Sequence, residues 1–173
     1  MKKNFVLPIL ALTLICLIIS AALAVTNNFT APVIVKAAAE RAEAARSEVI
    51  PEAAGFELMQ VEGLPDTVAE VYKSTNNVGY IFMLTTSGYG GDIKILCGIA
   101  PDGKIINTKT LQQTETKGLG SKITDDAFAA QFPGKDASLS GVDAISGATI
   151  SSRAYIGAIQ DAFAAYDSVK GVQ

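Results

Sequence analysis

The sequence contains no histidine and no tryptophan, and only two cysteines and six prolines among its 173 residues. Without histidine there is no imidazole for acid–base chemistry near neutral pH or for metal ligation. The two cysteines lie in segments of different character. Cys16 falls inside an apolar N-terminal stretch, and Cys97 sits between Leu96 and Gly98 in a strand-like apolar run. A disulfide between them is not expected. Two thiols are also too few for an iron–sulfur cluster, and no other set of residues has metal-ligand spacing. Cys97 reads as a small core hydrophobe. Positive charge is scarce as well: 14 Lys and Arg stand against 17 Asp and Glu, a net charge of −3. Lys2 and Lys3 precede the apolar stretch, so the remainder is more acidic still. That balance argues against a nucleic-acid surface.

What the chain has in abundance is a long hydrophobic run. Phe5 to Val25 carries no charge and is rich in Leu, Ile and Ala, with one proline at Pro8. At helical rise it spans about 30 Å, the thickness of a bilayer core. Ala22-Leu23-Ala24 resembles a signal-peptidase site, but the run exceeds the ~7–15 residues of a signal h-region. An uncleaved anchor is therefore the expectation. Ile15 before Cys16 is too bulky for a lipobox. Lys2 and Lys3 place the N-terminus in the cytoplasm and the bulk of the chain outside it. Ser20, Ala21, Ala22 and Ala24 allow close contact with other membrane helices.

Beyond the anchor, Asn27 to Pro32 predicts a short exit loop. Val33 to Val49, Ala-rich and charged, predicts a connecting helix. Phe56 to Leu64 predicts a short strand and turn. Alternation and turn chemistry then predict strands over Val68–Lys73, Gly79–Thr86, Ile93–Ala100 and Lys104–Gln112. Asn76-Asn77, Gly88-Tyr89-Gly90-Gly91 and Pro101-Asp102-Gly103-Lys104 divide them. Such a meander implies an antiparallel sheet. A short helix is predicted over Ile123–Phe132, a final strand over Val142–Ile145, and a long helix over Ile150–Val169. In the last, Ile156, Ile159, Phe163 and Tyr166 form an apolar stripe at helical spacing. The fold class is α+β: an N-terminal transmembrane helix, then an antiparallel-sheet domain with flanking helices. The domains divide as 1–25 membrane anchor, 26–55 connecting helix and linker, and 56–173 sheet domain.

Two motifs carry chemistry. Asp143-Ala144-Ile145-Ser146-Gly147-Ala148-Thr149-Ile150-Ser151-Ser152 places hydroxyls around the start of the last helix. Backbone N–H groups are unpaired there, and the helix dipole favours an anion. Taken alone, such hydroxyls are ordinary N-caps. Earlier in the chain stands Glu115-Thr116-Lys117-Gly118-Leu119-Gly120, which alone reads as a Gly-rich surface loop. Together, and in this order, the two resemble the S/T-G-A-T and E-T-P-G-L-G motifs of the FMN-binding domain family found in Rnf and Nqr respiratory complexes. The resemblance covers most of the chain. It departs at Lys117, where the family has proline, and at Gln113, where many relatives have histidine.

The resemblance implies FMN bound covalently to Thr149 through a phosphoester. Ser146, Gly147, Ala148, Ser151 and Ser152 would frame the attachment point. Glu115, Thr116, Gly118, Leu119 and Gly120 would lie against the flavin. Gly88–Gly91 would border the same site, and Lys135 reads as an ordinary loop lysine. No catalytic residue is implied, since the role is electron transfer. Within the family the chain is most similar to the Rnf G subunit, part of a complex moving electrons between ferredoxin and NAD with sodium or proton transport. The alternatives are the C subunit of a sodium-translocating NADH:quinone reductase, a free-standing extracytoplasmic flavin carrier, and an anchored non-redox binding domain. Implied partners are the other subunits of the complex and, during maturation, a flavin transferase using FAD and a divalent metal. The implied location is the cell membrane, single-pass, with the flavin domain outside.

Overall fold

A computed structural model of the chain describes residues 3–171. It divides into two compact units, Met1–Arg41 and Ala42–Gln173. The first unit is helical throughout its described residues. It belongs to α1, which runs Lys3–Val49. The most apolar 18-residue window reaches a mean hydropathy of 2.8, and none of it is buried within the protein. Its length and composition suffice to cross a bilayer. Lys2 lies outside the described residues.

The expected exit loop is absent: Asn27 to Pro32 are helical. The polar side chains there do not compete with the helix. Thr26 and Thr30 return their hydroxyls to the carbonyls of Ala22 and Thr26, at 2.9 and 3.0 Å. Pro32 forfeits one N–H donor but is compatible with helical φ, and the helix continues through it.

The second unit is built on five strands: β1 Phe56–Met59, β2 Val68–Ser74, β3 Tyr80–Ser87, β4 Asp92–Ile99 and β5 Ile105–Gln113. They form one sheet in sequence order, antiparallel throughout. Pairs such as Phe82↔Cys97 and Cys97↔Thr108 fix the register across its centre. The turn before β5 needs a left-handed residue, and Gly103 supplies it at φ 79°.

The sheet is covered on both faces. On one, Phe82, Leu84, Ile95, Cys97 and Ile99 pack with Ile159, Ala162 and Phe163 of α3 (Thr149–Val169). On the other, Ile81 and Leu96 meet Ala45 and Val49 from the end of α1 and Ile50 just beyond it. This explains why β4 is apolar on consecutive residues rather than alternate ones. The α3 stripe is turned slightly from the one expected. Tyr155, only 1% exposed, takes the position facing the core, and Ile156 is half-buried. Tyr155 packs edge-on against Phe128 at 5.3 Å. Burial pushes its hydroxyl pKa up to about 12. Cys97 is wholly buried, which pushes its thiol up as well, and both cysteines are free.

Two further expectations are corrected. Ile123–Phe132 is not one helix. A 3-10 turn, Gly120–Thr124, ends where Asp125 turns extended (φ −71°, ψ 139°), and a separate α2, Asp126–Ala129, begins. Asp readily leaves helical geometry in this way. Val142–Ile145 joins no strand. Its backbone is satisfied by a side chain instead: Asp143 N–H donates to Gln131 Oε1 at 2.8 Å, and Gln131 Nε2 donates to the Asp143 carbonyl at 3.4 Å.

Candidate functional site

The site begins with a turn. Ala148 N–H donates to the Ile145 carbonyl at 3.0 Å, and Gly147 takes φ 80°, a conformation that favours glycine. Ala148 is the N-cap of α3, with no side-chain cap, and Thr149 is its first helical residue. Ser152 braces the turn from within. Its hydroxyl donates to the Ala148 carbonyl at 2.8 Å and accepts from Ile145 N–H at 3.1 Å. Ser151 donates to Glu115 Oε2 at 2.9 Å. Of these three hydroxyls, only that of Thr149 makes no hydrogen bond among the described residues, and Thr149 is exposed. Thr149 is thus not a capping residue.

Glu115 organises the opposite wall. It is 8% exposed, and its second oxygen, Oε1, accepts from Gly90 N–H at 3.2 Å. The carboxylate therefore ties the β3–β4 loop and the start of α3 to its own loop. Close packing makes this possible: a Cβ at Gly120 would lie 2.9 Å from the Glu115 Cβ. Gln113 accepts the Glu115 N–H through its Oε1 at 2.6 Å.

Between these walls lies a groove of about 440 Å³. Of the residues expected at the site, it is lined by Glu115, Thr116, Leu119, Gly120, Gly147, Ala148, Thr149 and Ser151. Ser146, Ser152 and Gly118 do not line it. Ser152 is internal, and Gly118 donates its N–H to Ser121 Oγ at 2.9 Å. Lys135 is also remote in role: its Nζ donates to the Ser140 carbonyl at 2.6 Å. Tyr89 from the Gly-rich loop joins the lining, as does Ile150, which was not expected there. The available signal was an apolar residue on the polar side of α3. Tyr89, Leu119 and Ile150 are 76%, 53% and 59% exposed, so the groove presents three large apolar side chains to its surroundings.

Residues 88–164 match the model of the FMN-binding domain, a span that contains every residue lining the groove. The G subunit of the ion-translocating oxidoreductase complex of Methanosarcina acetivorans is 35% identical over 93% of this chain and 94% of its own length. The G subunit of the Na(+)-translocating ferredoxin:NAD(+) oxidoreductase complex of Acetobacterium woodii is 32% identical over 92% of this chain and 90% of its own. The crystal structure of NqrC from Shewanella oneidensis is similar at a TM-score of 0.49 and 20% identity, over 66% of this chain and 65% of that one. The chain belongs to the family of G subunits of ion-translocating oxidoreductase complexes, and residues 88–164 of its second unit match the FMN-binding domain.

Proposed function

We propose that this chain is a single-pass membrane subunit that carries electrons through FMN esterified to Thr149, within a complex coupling electron flow between ferredoxin and NAD to ion translocation. The observation that carries this reading is the Thr149 hydroxyl. It is exposed, free of hydrogen bonds among the described residues, and on the rim of the groove. The groove suits the cofactor. Its volume lies in the range of small-molecule sites, its exposed side chains offer apolar contact, and the start of α3 favours a phosphate.

Bound FMN accepts and donates one or two electrons. The chain's own residues hold it and shield it. Leu119, Ile150 and Tyr89 would offer it apolar contact and limit its exposure to water. Glu115, tied to Ser151 and Gly90, fixes the spacing of the walls. Gly147 and Ala148 keep the approach to Thr149 open. Attachment is a group transfer from FAD by a flavin transferase with a divalent metal. In that transfer the Thr149 oxygen would bond to the phosphorus of the FMN moiety as the pyrophosphate P–O bond breaks, AMP would leave, and the hydroxyl proton would pass to the transferase. Residues 1–25 serve as the anchor and 56–173 as the flavin domain, on the extracytoplasmic side by the positive-inside rule. Relatives include one named for sodium and one named for proton translocation. The coupling ion is thus set by partner subunits in this reading.

The test is the intact mass and in-gel fluorescence of denatured protein purified from its native membrane, beside Thr149→Ala. A fluorescent band and added flavin mass are expected in the parent, with both absent in the variant. A parent of unmodified mass, from a host with active transferase, would overturn the proposal.

A further inference from the structure

We infer that Arg153 is a positioning residue that clamps the phosphate of the ester on Thr149. The inference rests on the reading of Thr149 as the attachment point. Thr149 and Arg153 stand four residues apart on α3, and both are exposed. Residues at that spacing are neighbours on one helix face, about 5–6 Å between Cβ atoms. Helical side chains also lean toward the N-terminus, so an arginine at position 153 can reach back over the turn that Thr149 opens.

Its guanidinium is unengaged. Among the described residues nothing accepts a hydrogen bond from Arg153 or pairs with it, as is also true of several lysines of this unit, whereas its other arginine and some of its lysines have partners. Arg46 stacks on Tyr72 at 4.3 Å, Lys109 pairs with Glu48, and Lys170 pairs with Asp167 at 2.5 Å. The first turn of α3 holds no acidic residue, and Asp161 further along accepts from Thr67 at 2.6 Å. A lone cation near a helix N-terminus opposes the dipole unless an anion joins it. A phosphodiester on Thr149 supplies that anion, and the planar guanidinium fork matches two of its oxygens.

The test uses the full chain from a host with active transferase, as parent, Arg153→Gln, Arg153→Lys, Thr149→Ala and the Thr149→Ala/Arg153→Gln double variant. Fluorescence of the denatured parent first reports whether the ester exists; its absence defeats the Thr149 reading and leaves nothing for Arg153 to clamp. With the ester present, Arg153→Gln is expected to keep the flavin and to lower the melting midpoint by about 2–4 °C. The same change in the Thr149→Ala background is expected to shift nothing, and Arg153→Lys to recover part of the loss. The phosphorus-31 resonance of the ester is expected to move in folded Arg153→Gln but not after denaturation. Equal midpoint shifts in both backgrounds, or an unmoved phosphorus resonance, would overturn the inference. So would a folded Arg153→Gln protein without flavin, which would assign Arg153 to transferase recognition. An unmoved resonance with weakened assembly would assign it instead to an acidic partner surface.

Discussion

Glu115 is the residue on which the groove depends. Its carboxylate is buried without a cation and is held by two donors, Ser151 Oγ and Gly90 N–H. Removing it strands both donors and opens the packing against Gly120. Glu115→Ala should therefore cost about 1.5–3 kcal/mol of unfolding free energy. Glu115→Gln, which keeps one acceptor oxygen, should cost about half as much. Denaturant titration measures both, and a loss under about 0.5 kcal/mol for alanine would show that the carboxylate is not a tie. That Glu115 and Thr149 line one groove was foreshadowed in the sequence by the two motifs. The engagement of Glu115 with protein rather than solvent was not. It depends on glycines at 90 and 120 that fold against the carboxylate from separate loops, and sequence spacing does not record such meetings. The unbonded state of Thr149 was likewise invisible, because a threonine before a helix reads as a cap until the cap is seen to be Ala148.

At the scale of elements, two glycines make opposite predictions. Gly98 lies in β4 where the end of α1 packs, and a Cβ there would stand 2.7 Å from Val49 Cγ1. Gly98→Val overpacks that face and should destabilise by about 1–3 kcal/mol. Gly157 lies within α3, and an added Cβ would meet nothing within 4 Å. Gly157→Ala should stabilise by about 0.5–1 kcal/mol. Thermal melts of the two variants should move in opposite directions, and a shared direction would contradict the packing described. Strands β2 to β5 and the long final helix were legible because each repeats its apolar pattern over two or more turns or pleats. The segments misread were short and polar. Asn27 to Pro32 carries loop-forming residues yet lies inside one continuous helix. Val142–Ile145 has strand-like residues but finds Gln131 as its partner in place of a sheet edge.

At the scale of the whole molecule, the chain joins two units with different solvents. The first exposes long apolar side chains along its helix, among them Leu7, Leu17 and Leu23 at 75%, 64% and 65%. Such a surface is stable in lipid and a liability in water. The second unit closes a core of its own on both faces of its sheet. A fragment of residues 42–173 should stay in aqueous solution without detergent and unfold in one cooperative transition, whereas the full chain should need detergent. Circular dichroism through a melt checks this, and a fragment without a cooperative transition would contradict an independent core. The order of strands carries a consequence for how the site comes into being. Every strand pairs with its neighbour in sequence. The sheet therefore assembles from contacts between nearby residues, which form quickly. The groove does not: its closing bond, Ser151 to Glu115, spans 36 positions and waits for α3 to dock. Without that docking there is no groove, and Thr149 has no wall opposite it. Flavin attachment at this site would accordingly mark a chain whose folding is complete.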